Sequence, residues 1–234
     1  MIPKIIHQTW KDTSIPFHIY ERQWVDSWKE HHPTWKHYLW TDDDLKAIAN
    51  QHFPEVTEAM DKGPGVVKAD IGRYMVLCLY GGIYADLDYE CYKPFDPLLD
   101  REILLTYVNY VLVGHLTWIT LGHLKAIHEC GRRLVSNALI GVMPNHPLMF
   151  RAIQECGRRY NENKSIEEKT GPVMLTEIVR EMSLIDEVFN ANLFSPIDWT
   201  QGKGLRAGLS KEDIAQIKKD YPEAYAATYW AHNW

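Results

Sequence analysis

Two adjacent glycines, Gly81 and Gly82, separate two different periodicities, and that junction constrains the fold more than any other feature of the chain. Before them Val67, Ile71, Tyr74, Met75 and Cys78 fall at i, i+4, i+7, i+8 and i+11, the spacing of one helix face. After them residues 83–88, Ile-Tyr-Ala-Asp-Leu-Asp, predict a strand, because glycine stops a helix and accepts the turn that follows. Other segments repeat the alternation. Ile2, Ile5 and Ile6 predict a strand ending near Trp10; Phe17, Tyr20, Trp24 and Trp28 predict an amphipathic helix over 17–30; residues 35–40 predict a second strand. Thr41 with Asp44 forms a capping box that opens a helix running to His52. Later, residues 139–142 read as a strand and 147–160 as a helix, Pro172 opens another helix, and Ser210 with Asp213 caps one more. Such alternation predicts an α/β fold with a largely parallel, layered sheet, in one domain covering 1–234.

Composition narrows the function classes. The 234 residues carry 25 Lys+Arg against 31 Asp+Glu, with no basic block, which excludes a dedicated nucleic-acid binder. Four cysteines without a CxxC pair fit neither a disulfide scaffold nor a zinc ribbon. The longest uncharged run, 103–124, is long enough to span a bilayer, but Asn109, His115, His123 and three threonines make it a poor lipid-facing helix. Its Val, Ile, Thr and Tyr content predicts two strands joined near Gly114 instead. No charged n-region leads into an apolar h-region at the start. These features predict a cytoplasmic protein, with peripheral contact to a membrane left open and the oligomeric state unread.

The chemistry-bearing residues cluster around the glycine pair. On a strand, Asp86 and Asp88 would project from one face, and two carboxylates side by side call for a hard divalent cation with oxygen ligands, Mn²⁺ or Mg²⁺. The plainer alternative is a solvated strand end. An EF-hand is excluded, since its sixth position requires glycine and is Cys91 here. Asp70 and Arg73, at i and i+3 on the preceding helix, are either an exposed ion pair or part of a ligand site at the carboxyl edge of the sheet.

Three segments together resemble the family 32 glycosyltransferases, the DXD-containing sugar transferases that include the Och1-type mannosyltransferases. They are 2–10 (Ile-Pro-Lys-Ile-Ile-His-Gln-Thr-Trp), 68–74 (Lys-Ala-Asp-Ile-Gly-Arg-Tyr) and 81–88 (Gly-Gly-Ile-Tyr-Ala-Asp-Leu-Asp). The clostridial glucosylating toxins are more distant relatives of that family. The resemblance is dense over 1–97 and thinner beyond, where Ser136-Asn137-Ala138, Asn145-His146-Pro147, Thr170-Gly171-Pro172 and His232 recur in order.

The resemblance implies a GT-A fold, with a Rossmann-like mixed, mostly parallel sheet flanked by helices, and a metal-dependent transfer that retains anomeric configuration. The donor would be a UDP- or GDP-linked hexose, and the acceptor a glycan or lipid-linked sugar. By the same resemblance Trp10 would stack on the donor base; Asp70, Arg73 and Asn137 would contact ribose, sugar or phosphates. Asp86 would bind sugar hydroxyls and reach the metal through water, Asp88 would ligate it directly, and His232 would be a further ligand. Asp86, Asp88 and Arg73 would carry catalysis. Relatives continue past this His to a Ser-Trp pair, whereas here Asn233-Trp234 follow. Two further readings use the same residues: a metal-dependent nucleotide-sugar hydrolase, and a non-catalytic carbohydrate-binding module.

Overall fold

In the computed structural model, residues 1–15, 22–109, 133–197 and 210–231 are described. Phe17, Tyr20, the strand expected after Gly114, His232 and Trp234 lie outside them. The central sheet has six strands in the order β2-β1-β3-β6-β5-β7: β1 (Ile5–Thr9), β2 (Lys36–Trp40), β3 (Gly82–Ala85), β5 (Ile103–Thr106), β6 (Leu139–Val142) and β7 (Val188–Phe189). A separate two-stranded sheet pairs β4 (Tyr89–Cys91) with β8 (Ala226–Thr228). Within the large sheet β1–β2, β1–β3 and β5–β7 are parallel, and β6 runs antiparallel to both β3 and β5. The sheet is therefore mixed and mostly parallel.

Local sequence sets most helix boundaries. The helix α1 (Arg22–His31) buries Trp24, Val25 and Trp28. In α2 (Asp42–His52) both arms of the Thr41–Asp44 capping box form. Beyond the short α3 (Thr57–Lys62), the helix α4 (Gly65–Tyr80) ends at Gly81, whose φ of 61° lies in the left-handed region that glycine alone adopts without strain. The later helices are α5 (Pro147–Arg159), α6 (Ile166–Lys169), α7 (Pro172–Glu181) and α8 (Lys211–Asp220), the last opened by the Ser210–Asp213 capping box.

One apolar stripe was expected on α4. Instead every residue from Ala69 to Cys78 is buried, Asp70 and Arg73 included. The helix packs between the sheet and the layer formed by α2, α3 and α5, so it has no solvent face there. The main core joins α4 to Tyr84, Ile140 and Val142 of the sheet and to Leu148, Met149 and Ile153 of α5. On the opposite face Ile6, Ile83 and Ala85 pack with Trp28 and Phe95.

The acidic pair is not on a strand. The sheet pairing of β3 ends at Ala85; the Asp86 N–H still donates to Ala138 O at 2.9 Å, and the Tyr89 N–H then donates to Asp86 O at 3.1 Å, closing a turn. Asp86 and Asp88 are therefore brought together by a turn between β3 and β4, not by the pleat of one strand.

Candidate active site

Parallel β1 and β3 end on the same edge of the sheet, where Trp10 follows one and Asp86 the other. Open α/β sheets bind ligands at this carboxyl edge. The fold brings α4 beneath it because the Gly81–Gly82 turn reverses the chain, setting Asp70 and Arg73 under the acidic turn.

Arg73 is almost wholly buried, and its donors are directed inward. Nη2 lies 3.2 Å from Asp70 Oδ1 and 3.3 Å from Asp86 Oδ1, Nη1 donates to Asn137 O at 2.7 Å, and Nε donates to Ala69 O at 3.2 Å. The guanidinium carbon sits 4.7 Å from the centre of the Tyr84 ring. Asp70 accepts from Asn137 Nδ2 and from Thr170 Oγ1, each at 2.8 Å. Tyr84 donates its hydroxyl proton to Asp86 Oδ1 at 2.8 Å and lies 2.9 Å from Thr9 Oγ1. The alternative of an exposed Asp70–Arg73 pair is thereby overturned: the pair is buried, and such a pair holds geometry more than it adds stability.

Charge in this network is unbalanced. Asp70 and Asp86 flank one guanidinium and Asp88 lies beside Asp86, so the ionised cluster carries two excess negative charges. Burial pushes the Asp70 carboxyl up to about 6 despite the pull of Arg73, and it raises Asp86 against the same pull. Asp88 is pushed up to about 7 by burial and then by the neighbouring charge of Asp86. Burial opposes the charge on Arg73, but Asp86, Tyr84 and Asp70 more than offset it.

Asp88 is also held from the C-terminal side. The Ala231 N–H donates to Asp88 Oδ2 at 2.9 Å, and the Tyr229 N–H donates to Asp88 O at 3.0 Å. Between them Trp230 has a φ of 54°, a strained conformation for a bulky residue. His232 lies outside the described residues, but its chain neighbour Ala231 is bonded to the acidic turn.

Two hard carboxylates with a deficit of positive charge fit a small divalent cation, which takes one or two carboxylates and completes its shell with water and phosphate oxygens. The Oδ1 of Asp86 is occupied by Tyr84 and Arg73, and its Oδ2 accepts no bond among the described residues. Among those residues no group of three or more His, Cys, Asp or Glu surrounds a common point, so no third protein ligand is found there.

The structure thus gathers Asp70, Arg73, Asp86 and Asn137 into one network, with Asp88 beside it. Trp10 packs at the same edge, against a cluster containing Leu87, Tyr229 and Ala231. Sequence reasoning assigned no role to Tyr84, Thr9, Thr170 or the Ala231 N–H. Thr170 carried a signal, as part of a recurring Thr-Gly-Pro triplet, but read only as a helix start.

The fold is of the GT-A type, with the acidic turn at the carboxyl edge of its sheet. Among solved structures, PaToxG Glycosyltransferase superposes with a TM-score of 0.55 at 15% identity, covering 96% of this chain and 89% of that one. Residues 19–105 match the family described as "Glycosyltransferase sugar-binding region containing DXD motif". Inositol phosphoceramide mannosyltransferase 1 of Schizosaccharomyces pombe is 31% identical over 158 residues, 64% of this chain and 41% of that protein. Mannosyl phosphorylinositol ceramide synthase SUR1 of Saccharomyces cerevisiae is 31% identical over 194 residues, 77% of this chain and 42% of that protein. Residues 19–105 are thus similar to this DXD-containing family, and the chain spans less than half the length of these two curated relatives. Among the described residues no helix is long and apolar enough to cross a membrane.

Proposed function

We propose that this chain is a metal-dependent, retaining glycosyltransferase that moves a hexose from a UDP- or GDP-linked donor to a glycan or lipid-linked acceptor. Relatives named as inositol phosphoceramide mannosyltransferases support a lipid-linked acceptor. The observation that carries the reading is the excess negative charge at the carboxyl edge, where Asp88 is pushed up to about 7 by burial and by Asp86. An acidic pair so placed is costly in the empty protein and favourable once a cation arrives.

Asp88 and Asp86 would hold Mn²⁺ or Mg²⁺, with His232 a candidate further ligand. When bound, the ion supplies Lewis-acid stabilisation of the charge that develops on the departing diphosphate. Arg73 keeps Asp86 oriented through Oδ1 and leaves Oδ2 to face the ligand. Its donors are directed at Asp70, Asp86 and two backbone carbonyls, which favours a positioning role over a direct phosphate contact. Asn137 locks Asp70, and Trp10 offers a ring at the edge for the donor base.

The test is Asp88→Asn. Its kcat is expected to fall at least ~10²-fold, about 2.7 kcal/mol, the loss typical of one preorganised electrostatic contact. Nucleotide binding should also cease to depend on Mn²⁺. Full metal-dependent activity in this variant would refute the assignment. Release of free hexose as the sole product across candidate acceptors would point to the hydrolase reading instead.

A further inference from the structure

Thr170 ends α6 at its joint with α7, and its backbone and side chain bond to different neighbours. Its N–H donates to Ile166 O at 2.9 Å, and its carbonyl accepts from the Tyr74 hydroxyl at 2.9 Å. Its own hydroxyl lies 2.8 Å from Asp70 Oδ2 and 3.3 Å from Ile166 O. A hydroxyl has one proton to give, and the carboxylate is both nearer and charged. Ile166 O, moreover, already accepts from the N–H groups of Thr170 and Gly171. The proton therefore goes to Asp70, in a contact that is buried on both sides.

The joint has other bonds to hold its shape. Ser165 and Glu168 close a capping box on α6, and Arg159 Nη1 donates to Glu168 O at 3.0 Å and to Glu177 Oε2 at 2.7 Å, tying α6 and α7 to α5. Asp70 has fewer restraints. Asn137 Nδ2 and Arg73 Nη2 both reach Oδ1, and among the described residues Thr170 supplies the one hydrogen bond to Oδ2. Holding both oxygens fixes the plane of the carboxylate, which bonds to Oδ1 alone leave free to turn. The cost of burial, which pushes the Asp70 carboxyl up to about 6, is opposed first by Arg73 and then by Thr170.

We propose that Thr170 is a positioning residue for the sugar donor: its hydroxyl fixes the plane of the Asp70 carboxylate, so that Asp70, Arg73 and Asn137 are set in place before the donor arrives. Fully buried, Thr170 acts through Asp70 and does not touch the donor. The α6–α7 joint thereby becomes part of the donor site, although Thr170 stands 100 positions from Asp70 and outside the matched segment 19–105. Asp86 and Asp88 are restrained by Arg73, Tyr84 and the Ala231 N–H instead, so the metal site does not depend on this hydroxyl. The inference rests on the nucleotide-sugar reading above and adds the residue that keeps Asp70 oriented.

The experiment measures binding of Mn²⁺ alone, and then of UDP-glucose and GDP-mannose in MnCl₂, by calorimetry. The proteins are the wild type, Thr170→Val, Thr170→Ser, Asp70→Asn and the double variant Asp70→Asn/Thr170→Val. Valine keeps the branched shape and removes the hydroxyl. It is expected to weaken the better-bound sugar nucleotide at least about 10-fold, the order of a lost hydrogen bond to a charged group. Serine restores the hydroxyl and should bind within about 3-fold of wild type, and Mn²⁺ affinity should stay within about 3-fold in both variants. The double variant should be weaker than Asp70→Asn by less than about 3-fold, since residues that act through one contact do not add. Intact donor affinity in Thr170→Val, a serine variant as weak as the valine one, additive losses, or Mn²⁺ and donor affinity lost together would each overturn the proposal. Thr170→Ala removes the same hydroxyl and serves if Thr170→Val folds poorly; failure of both to fold makes the hydroxyl structural and also overturns it. A wild type that binds neither sugar nucleotide in MnCl₂ overturns the nucleotide-sugar reading itself, and this inference with it.

Discussion

Asp88 is buried with only partial compensation, and its ionisation is coupled to folding. Its carboxyl rises from the ordinary value of 3.8 to about 7 in the folded protein, so between those values the folded state binds a proton that the unfolded chain releases. Stability from this group is complete below about pH 4 and is lost as pH rises through 7. Asp70, raised to about 6, acts in the same direction, whereas His7, lowered by burial to about 4, acts oppositely between 4 and 6.5. The clean comparison is therefore wild type against Asp88→Asn, melted without divalent metal. The variant should be the more stable at pH 8, and its advantage should shrink steadily towards pH 4. A difference independent of pH would show that Asp88 is ionised at little cost. At this scale the chemistry was legible in advance, since Asp70, Arg73, Asp86 and Asp88 lie within 19 consecutive positions. The burial of Arg73 was not, because Asn137 and Thr170, which enclose it with Asp70, stand 64 and 100 positions from their partners.

Among the elements, those with a local signal, a cap or an apolar run such as 139–142, matched expectation, and the shortest strands, defined only by distant pairing, had no expectation to match. Capping boxes at Thr41 and Ser210 open their helices as read, because both partners sit within four residues. The strand β7 has two residues and β8 three, too short to show a period, and they exist only through pairing with β5 and β4. The alternation over residues 83–88 outlasts β3 for a related reason: period-2 patterning cannot reveal where a neighbouring strand stops. The junction at Gly81 is the element most exposed to substitution. A Cβ there would lie 2.7 Å from Pro144 N and 2.8 Å from Val142 O, at a φ of 61°. Gly81→Ala is expected to destabilise by roughly 1–3 kcal/mol, from the left-handed backbone and the contact with main chain. Urea denaturation reads this directly; a loss below about 0.5 kcal/mol would mean that the turn relaxes freely.

Across the whole molecule, the C-terminal segment 226–231, β8 and the residues after it, joins helix, small sheet and acidic turn. Glu90 on β4 accepts from Tyr229 and from Lys218 of α8, Tyr229 bonds Tyr92, and Trp24 stacks on Tyr229 at 4.7 Å. Removing the Tyr229 hydroxyl leaves Glu90 with Lys218 among the described residues, so Tyr229→Phe should cost about 1–3 kcal/mol. Nucleotide affinity in Mn²⁺ should fall with it, because the segment that follows β8, 229–231, carries the amide that holds Asp88. Lost stability with intact affinity would separate this segment from the site. The bond from Ala231 to Asp88 joins positions 143 apart. Closing so large a loop carries an entropic cost that local elements never meet, and contacts of high sequence separation form slowly. Helices and the β1–β2 pairing can therefore form while the acidic turn still lacks its last restraint, so the protein gains its shape before it gains its affinity.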